Sequence, residues 1–455
     1  MKQSRVTCVL VAALVVLVVA TPAEARVSQE EASKLNSELT PMGAVRSANP
    51  DGSIPAWEGG IKEVPASYNK GDHHPDPFAD DQPLLTLTVE NYKEHADRLT
   101  PGQKAMFERY PETWRMNIYP TRRSASYPQH VYDATVANAT TAELTSEGWG
   151  VVSASVGIPF PIPGSGLECI WNHLMRYRGE AVNRLVGQAT PTAGGKYSMV
   201  ILEEKALWAY QVQGNTIETI ENKLAYFLQT VQAPPRLAGR ILLVHETLDQ
   251  IKEPRQAWVY NPGQRRVRKA PNVAYDNPGT ASDGQRTNDQ FDMFNGAPDR
   301  YEWKLVGKSE RYVPYNCYKL HSDQVRYDDL ITKGHIQSDY VRYELHRVWE
   351  VEASLLEGIS HQYAKRHFFI DEDSWQILAV DQYDKRGQLW RVSEAYTINY
   401  YEQPFIWDTL QCHYDLQNGR YLAFGLNNEG SIDRFDLDLK KSDFTPNALR
   451  RMGRR

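Results

Sequence analysis

The chain has 455 residues, 41% apolar and 24% charged, and its formal net charge is −6. That balance is globular, and the length calls for one large or two intimate domains. The acidic charge argues against nucleic acid as a partner, because such a surface would be basic. Aromatic residues reach 11%, with 26 Tyr and 11 Trp. They suit sheets and surfaces that hold apolar or sugar ligands on ring faces, and sheet propensity accounts for most of them.

Residues 1–25 read as a secretory signal. Lys2 and Arg5 supply the charge, residues 9–20 the apolar run, and Ala23-Glu24-Ala25 the cleavage site, so a mature chain begins at Arg26. No later run is long and apolar enough to span a bilayer, so the expected location is the bacterial periplasm, in soluble form. Loss of Cys8 leaves Cys169, Cys317 and Cys412, which allow at most one bridge within a monomer. Buried free thiols and one bridged pair both stay open.

Residues 26–190 read as an extended arm followed by helices. Asn49-Pro50-Asp51-Gly52 and Gly59-Gly60 are turn-dense, and Ile54 and Trp57 are apolar anchors that hold the arm on the body. His73-His74-Pro75-Asp76-Pro77 reads as a solvated, proline-stiffened loop; its spacing matches no metal loop, and no metal or other cofactor is expected. Residues 89–99 predict a short helix, and Thr100-Pro101-Gly102-Gln103 is a capping box opening another. Residues 112–150 look irregular. In 157–164 three prolines fix an apolar loop, which runs into a helix with Leu167, Ile170, Trp171, Leu174 and Met175 on one stripe. Ile158, Phe160, Ile162 and Trp171 are the candidates for a lid; a firmly anchored core helix is the favoured reading of them. Cys169 and His173 share a helix face, which reads as packing.

Residues 191–400 read as a sheet. Strands are expected at 197–210, 240–248 and 257–260, with Ile217, Ile220, Leu224, Phe227 and Val231 marking a helix between the first two. Arg265 to Lys269 is a basic run on the wet side of a strand. The polar connection 271–300 is too long for an idle turn and is placed to cover an opening. Residues 340–398 form four strands joined by short turns, hence an antiparallel meander. In its first strand Tyr343, Leu345, Trp349 and Val351 share one face, while Arg342, Glu344, His346, Glu350 and Glu352 form the wet one. Residues 401–455 read as an irregular extension, with one short strand near 421–424 and a basic helix at 446–452 capped by Thr445.

Several motifs resemble one known family. They are Leu39-Thr40-Pro41, Asp51-Gly52-Ser53-Ile54-Pro55-Ala56-Trp57, Asp76-Pro77-Phe78-Ala79-Asp80-Asp81, Gly157-Ile158-Pro159-Phe160-Pro161 and Arg366-His367-Phe368-Phe369-Ile370-Asp371-Glu372-Asp373-Ser374-Trp375. The chain is similar to the DUF1329 family of secreted proteobacterial proteins, often called outer-membrane lipoprotein-sorting proteins. The resemblance implies a LolA-like lipoprotein-carrier fold in the second half and an apolar ligand. It also implies an inner-membrane exporter of the proton-driven class, or an outer-membrane protein, as partner. It carries over no catalytic residue.

The expected fold is therefore α+β: a large curved antiparallel sheet, an open half-barrel, with helices and an extended N-terminal arm packed on it. The expected function is a non-enzymatic periplasmic carrier for a lipid or other apolar molecule. Its groove candidates are Trp303, Tyr343, Leu345, Trp349, Phe368, Ile370, Trp375, Trp390 and Tyr396. Two rivals stand beside it. One is a hydrolase or accessory oxidoreductase using residues among Glu168, His173, His346, His361 and His367; the other is a structural adaptor without ligand. The C-terminal arginines 450, 451, 454 and 455 serve a local role or a peripheral contact with anionic lipid.

Overall fold

The computed structural model describes residues 27–250, 252–270 and 275–453. The expected signal, residues 1–25, lies outside them, as do Arg454 and Arg455. Fifteen strands form the main sheet. The first eight are β1 (Leu85–Leu87), β2 (Met116–Ile118), β3 (Ala181–Ala189), β4 (Val200–Leu207), β5 (Lys223–Ala233), β6 (Ile241–Thr247), β7 (Gln256–Asn261) and β8 (Arg266–Lys269). The others are β9 (Tyr301–Pro314), β10 (Tyr343–Leu355), β11 (Lys365–Asp371), β12 (Ile377–Tyr383), β13 (Leu389–Asn399), β14 (Ile406–Asp415) and β15 (Tyr421–Leu426). Against them pack α1 (Pro101–Arg109), α2 (Gln129–Asn138), α3 (Gly166–Met175) and α4 (Pro446–Met452).

Two antiparallel meanders make the sheet. One runs from β3 to β8 and the other from β10 to β15. They meet where Ala423 and Phe424 pair with Ala189 and Gln188. β9 pairs along β10, which also touches β2 in parallel. The architecture is the expected one: α+β, with a curved antiparallel sheet that does not close. No helix among the described residues is long and apolar enough to cross a membrane.

Local chemistry sets the helix ends. Thr100 accepts the Gln103 N–H while Gln103 accepts the Thr100 N–H, each at 3.1 Å, which satisfies two orphan donors. Ser165 caps α3 through the Glu168 N–H, but the Glu168 carboxylate turns back to the Gly164 N–H. Thr445 caps α4 through the Ala448 N–H. Cys169, Cys317 and Cys412 are free and buried.

Four readings change. The helix expected over 217–231 is strand β5, because Glu221 and Asn222 both take positive φ, 53° and 61°, and end any helical run before Lys223. Residues 112–150 contain α2, which buries Val131, Thr135 and Asn138 without a side-chain cap. The extension after 400 contains, besides the expected strand at 421–424 (β15), the unexpected β14; every residue of both is buried, so period 2 is absent from their sequence. The supposedly wet face of β10 is covered: Glu344 is 0% exposed, His346 1% and Glu350 5%. The N-terminal arm and the segment after β2 lie over it. The Arg122 N–H donates to Glu344, the Val45 N–H to Glu372, and Arg123 grips Asp373 through two bonds of 2.9 and 2.7 Å.

Helix α4 rests on β6–β8. Leu449 is fully buried, Tyr260 donates its hydroxyl to the Gly453 carbonyl, and His245 bonds the Phe444 carbonyl at 2.7 Å. Arg450 and Arg451 point to solvent. Leu449→Ala is expected to cost about 2–5 kcal/mol in denaturant unfolding, the cost of an unfilled core site. A loss under about 0.5 kcal/mol, the size of an ordinary surface change, would show that the helix is not seated.

Candidate functional site

Strand register places two rows of side chains on one face of β3–β6. Val182, Ala206, Phe227 and Val244 lie directly opposite one another across the four strands, and so do Arg184, Glu204, Gln229 and Leu242. Within each strand the two positions are two residues apart, so both rows share the face. Residues 278–295 cross over it, which is where the long polar connection goes. Between them lies a cavity of about 80 Å³, closed by Trp208, Phe291 and Trp407. It shares Gln229, Leu242, Thr280 and Asn288 with a groove of about 340 Å³ that continues over Val231 and Val259.

Charges around the cavity are mostly paired. Glu204 accepts from Arg184 Nε at 2.7 Å and from Gln229 at 2.6 Å. Burial alone would lower the Arg184 pKa, but the carboxylates of Glu204, Asp433 and Asp408 outweigh it and the pKa ends raised. Asp292 takes Arg176 at 2.7 Å and also Arg178. Glu246 takes Arg255. Burial pushes Asp408 up despite the pull of Arg184, and pushes Asp433 up to about 6. Asp433 accepts the Trp407 Nε1–H at 2.8 Å.

None of the nine groove candidates borders this cavity, and eight of them divide between two cores. Trp303, Trp349, Phe368, Ile370 and Trp375 belong to the larger one, Tyr343, Leu345 and Tyr396 to the other. Trp375 stacks on Trp349 at 6.1 Å and donates Nε1–H to the Met42 carbonyl of the arm. Tyr343 and Tyr396 both donate to Glu394, at 2.8 and 3.0 Å. Trp390 is half-buried and bonds Asp415. The lid candidates lie elsewhere too. Ile158, Phe160 and Trp171 are buried, Ile162 is half-buried, and Asn172 pins the loop by bonding both the N–H and the carbonyl of Phe160. The cavity walls escape the sequence because the apolar spacing of 217–231 reads as a helix where β5 lies; the length of the connection is the signal that points there.

The acid–base candidates serve the fold. His173 is fully buried between backbone groups of Asp292, Trp375 and Ile377. His346 bonds Glu344, His361 bonds Asp289 and His367 bonds Glu350. His346, Asp371 and Asp373 bring ligand atoms within 4.8 Å of one another, but the Arg123 guanidinium already occupies Asp373 and opposes a cation. His74 is not solvated as the proline-stiffened loop suggested: it is 3% exposed and bonds His321 at 3.0 Å and Glu402 at 2.8 Å. It edges an open cleft of about 590 Å³ whose wall mixes Asp76, Lys319, Asp323 and Arg342 with Phe78, Tyr318 and Tyr340.

A family described as a protein of unknown function, DUF1329, matches residues 86–450. The chain belongs to the DUF1329 family. It is 51% identical over 441 residues to PA3922, an uncharacterised protein of Pseudomonas aeruginosa PAO1, with 97% of each chain covered. Two solved structures are similar at lower identity. A domain described as an outer membrane lipoprotein-sorting protein from Vibrio parahaemolyticus gives 15% identity and a TM-score of 0.43, covering 62% of this chain and 97% of that one. A DUF1329 family protein from Desulfovibrio piger gives 16% and 0.41, covering 60% and 92%.

The raised Asp433 pKa gives this DUF1329 chain a stability signature. The folded state holds that proton more tightly than the unfolded one. The contribution is therefore complete below about 3.9, the unfolded value, and is lost as pH rises through about 6. Unfolding free energies of Asp433→Asn measured between pH 4 and 7 are expected to lack a fall of up to about 3 kcal/mol that the native chain shows. Parallel profiles for the two proteins would contradict an ionising Asp433.

Proposed function

We propose that this DUF1329 protein is a non-enzymatic carrier for a lipid or other apolar molecule, held between β5–β7 and residues 278–291. The observation that carries this is the cavity wall: Phe227, Leu242 and Val244 face a roof containing Phe291, and the space opens into the groove. About 340 Å³ lies within the roughly 300–1,000 Å³ typical of small-molecule sites. Each CH₂ removed from water there is worth about 0.8 kcal/mol, so a chain of several methylenes is held without any specific polar contact. The 80 Å³ cavity takes only the end of such a molecule, and full entry requires residues 278–288 to shift.

A carrier of this kind works in the periplasm between membranes. The inner-membrane exporter or outer-membrane protein that would hand over its cargo is the partner the family resemblance implies. The acid–base candidates being committed to structural bonds supports a carrier over an enzyme.

The test uses the full chain and the neutral probe N-phenyl-1-naphthylamine. Saturable fluorescence enhancement is expected, and Leu242→Trp, which fills both cavity and groove, is expected to weaken it at least tenfold with an unchanged melting temperature. Absence of binding to the native chain, or equal binding by a folded Leu242→Trp variant, would overturn the proposal.

A further inference from the structure

Among the charged residues bordering the cavity, Arg286 stands apart. It is 2% exposed, and its guanidinium makes no side-chain hydrogen bond and no ion pair among the described residues. Nε and Nη1 are both buried without a partner. The group is held by aromatic faces instead, 4.9 Å from the Phe424 ring centre and 5.5 Å from that of Phe291. Such contacts position a cation and attract it, but they do not satisfy its N–H donors. Nearby acids are committed elsewhere: Glu204 to Arg184 and Gln229, Asp289 to Arg366 and His361. Burial pulls the Arg286 pKa down to about 10, which leaves it charged at neutral pH.

A buried charge without a counter-ion is costly unless something supplies one. Arg286 borders the same cavity as the apolar row of β3–β6. It also lies at the edge of the groove: a Cβ on Gly279, which lines that groove, would stand 3.1–3.3 Å from the guanidinium. Gln229 and Gln411, which line the same cavity, each leave a side-chain oxygen without a donor. Those oxygens disfavour a second negative charge and suit a water or a hydroxyl beside the first.

We infer that the cargo is an anionic amphiphile with a single carboxylate, whose head pairs with Arg286 while its chain lies along Leu242 and Val259. The inference rests on the carrier reading and narrows it to one ligand class. A charge-assisted pair in a closed site is shorter and stronger than a neutral hydrogen bond, so the head sets orientation while the chain supplies most of the affinity.

The experiment compares oleate with oleyl alcohol as competitors of N-phenyl-1-naphthylamine at pH 8.5, on the native full-length chain and on Arg286→Gln and Gly279→Val. Native protein is expected to prefer oleate by at least tenfold. Arg286→Gln is expected to erase the preference by weakening oleate alone. Gly279→Val keeps the charge but crowds the guanidinium, and is expected to reduce the preference as well. Oleate and oleyl alcohol binding the native chain equally would overturn the carboxylate inference and leave the carrier reading standing. Failure of both to displace the probe would remove both. Because that comparison uses the unaltered chain, it decides the question even where a substitution prevents folding.

Discussion

A sheet this largely buried must neutralise within the fold every charge that its strands carry inward, and this constraint organises the molecule. On the side of the arm, Arg123 meets Asp373, while Lys308 and Arg347 both meet Glu372. On the cavity side, Arg184 meets Glu204 and two arginines meet Asp292. Removing one partner of a buried pair typically costs about 3–5 kcal/mol, far more than the intact pair contributes over an apolar substitute. Such pairs therefore act mainly as registration. They allow the arm and the crossing connection one seating each.

The same constraint shapes the site. The connection is fixed at its far end, where Asp289 takes Arg366 and His361, and Asp292 takes Arg176 and Arg178. Its earlier part carries no buried ion pair among the described residues: Gln188 donates to the Thr280 and Ala281 carbonyls, Arg391 to the Gly284 carbonyl, and Arg420 meets an exposed Asp283. Exposed pairs contribute little. The buried ion pairs of the roof thus gather at 289–292, whereas the part that lines the groove, 278–281, is held by neutral hydrogen bonds. Arg286 sits between the two zones, without a carboxylate of its own among the described residues.

Much of this was legible in the sequence. Short turns through 340–398 and alternation along Tyr343–Val351 point to the second meander, and the caps at Thr100 and Thr445 mark two helix starts. The rest failed for physical reasons. β14 reads Ile-Trp-Asp-Thr-Leu-Gln-Cys-His-Tyr-Asp, and its polar residues are buried through partners supplied by distant strands and segments, as Trp407 with Asp433 and His413 with Ser393 show. No local pattern records such partners. The apolar spacing in 217–231 fits a helix and a strand alike, and only the left-handed residues Glu221 and Asn222 decide between them. The aromatic residues that looked like a groove fill the cores because the arm and helices cover both faces of the second meander. The cavity wall belongs instead to the first meander, whose residues Phe227, Leu242 and Val244 are less conspicuous.

The central claim is the location of the bound molecule, and photo-crosslinking reads it directly. The full-length chain would be irradiated with a long-chain carboxylic acid bearing a diazirine near its methyl end, digested, and the labelled peptides sequenced. Labelling concentrated in residues 224–260 and 278–291, and suppressed by excess oleate, is the expected result. Labelling concentrated instead in the aromatic strands 343–396 or around the His73–His74 cleft, or labelling that oleate does not suppress, would contradict the account.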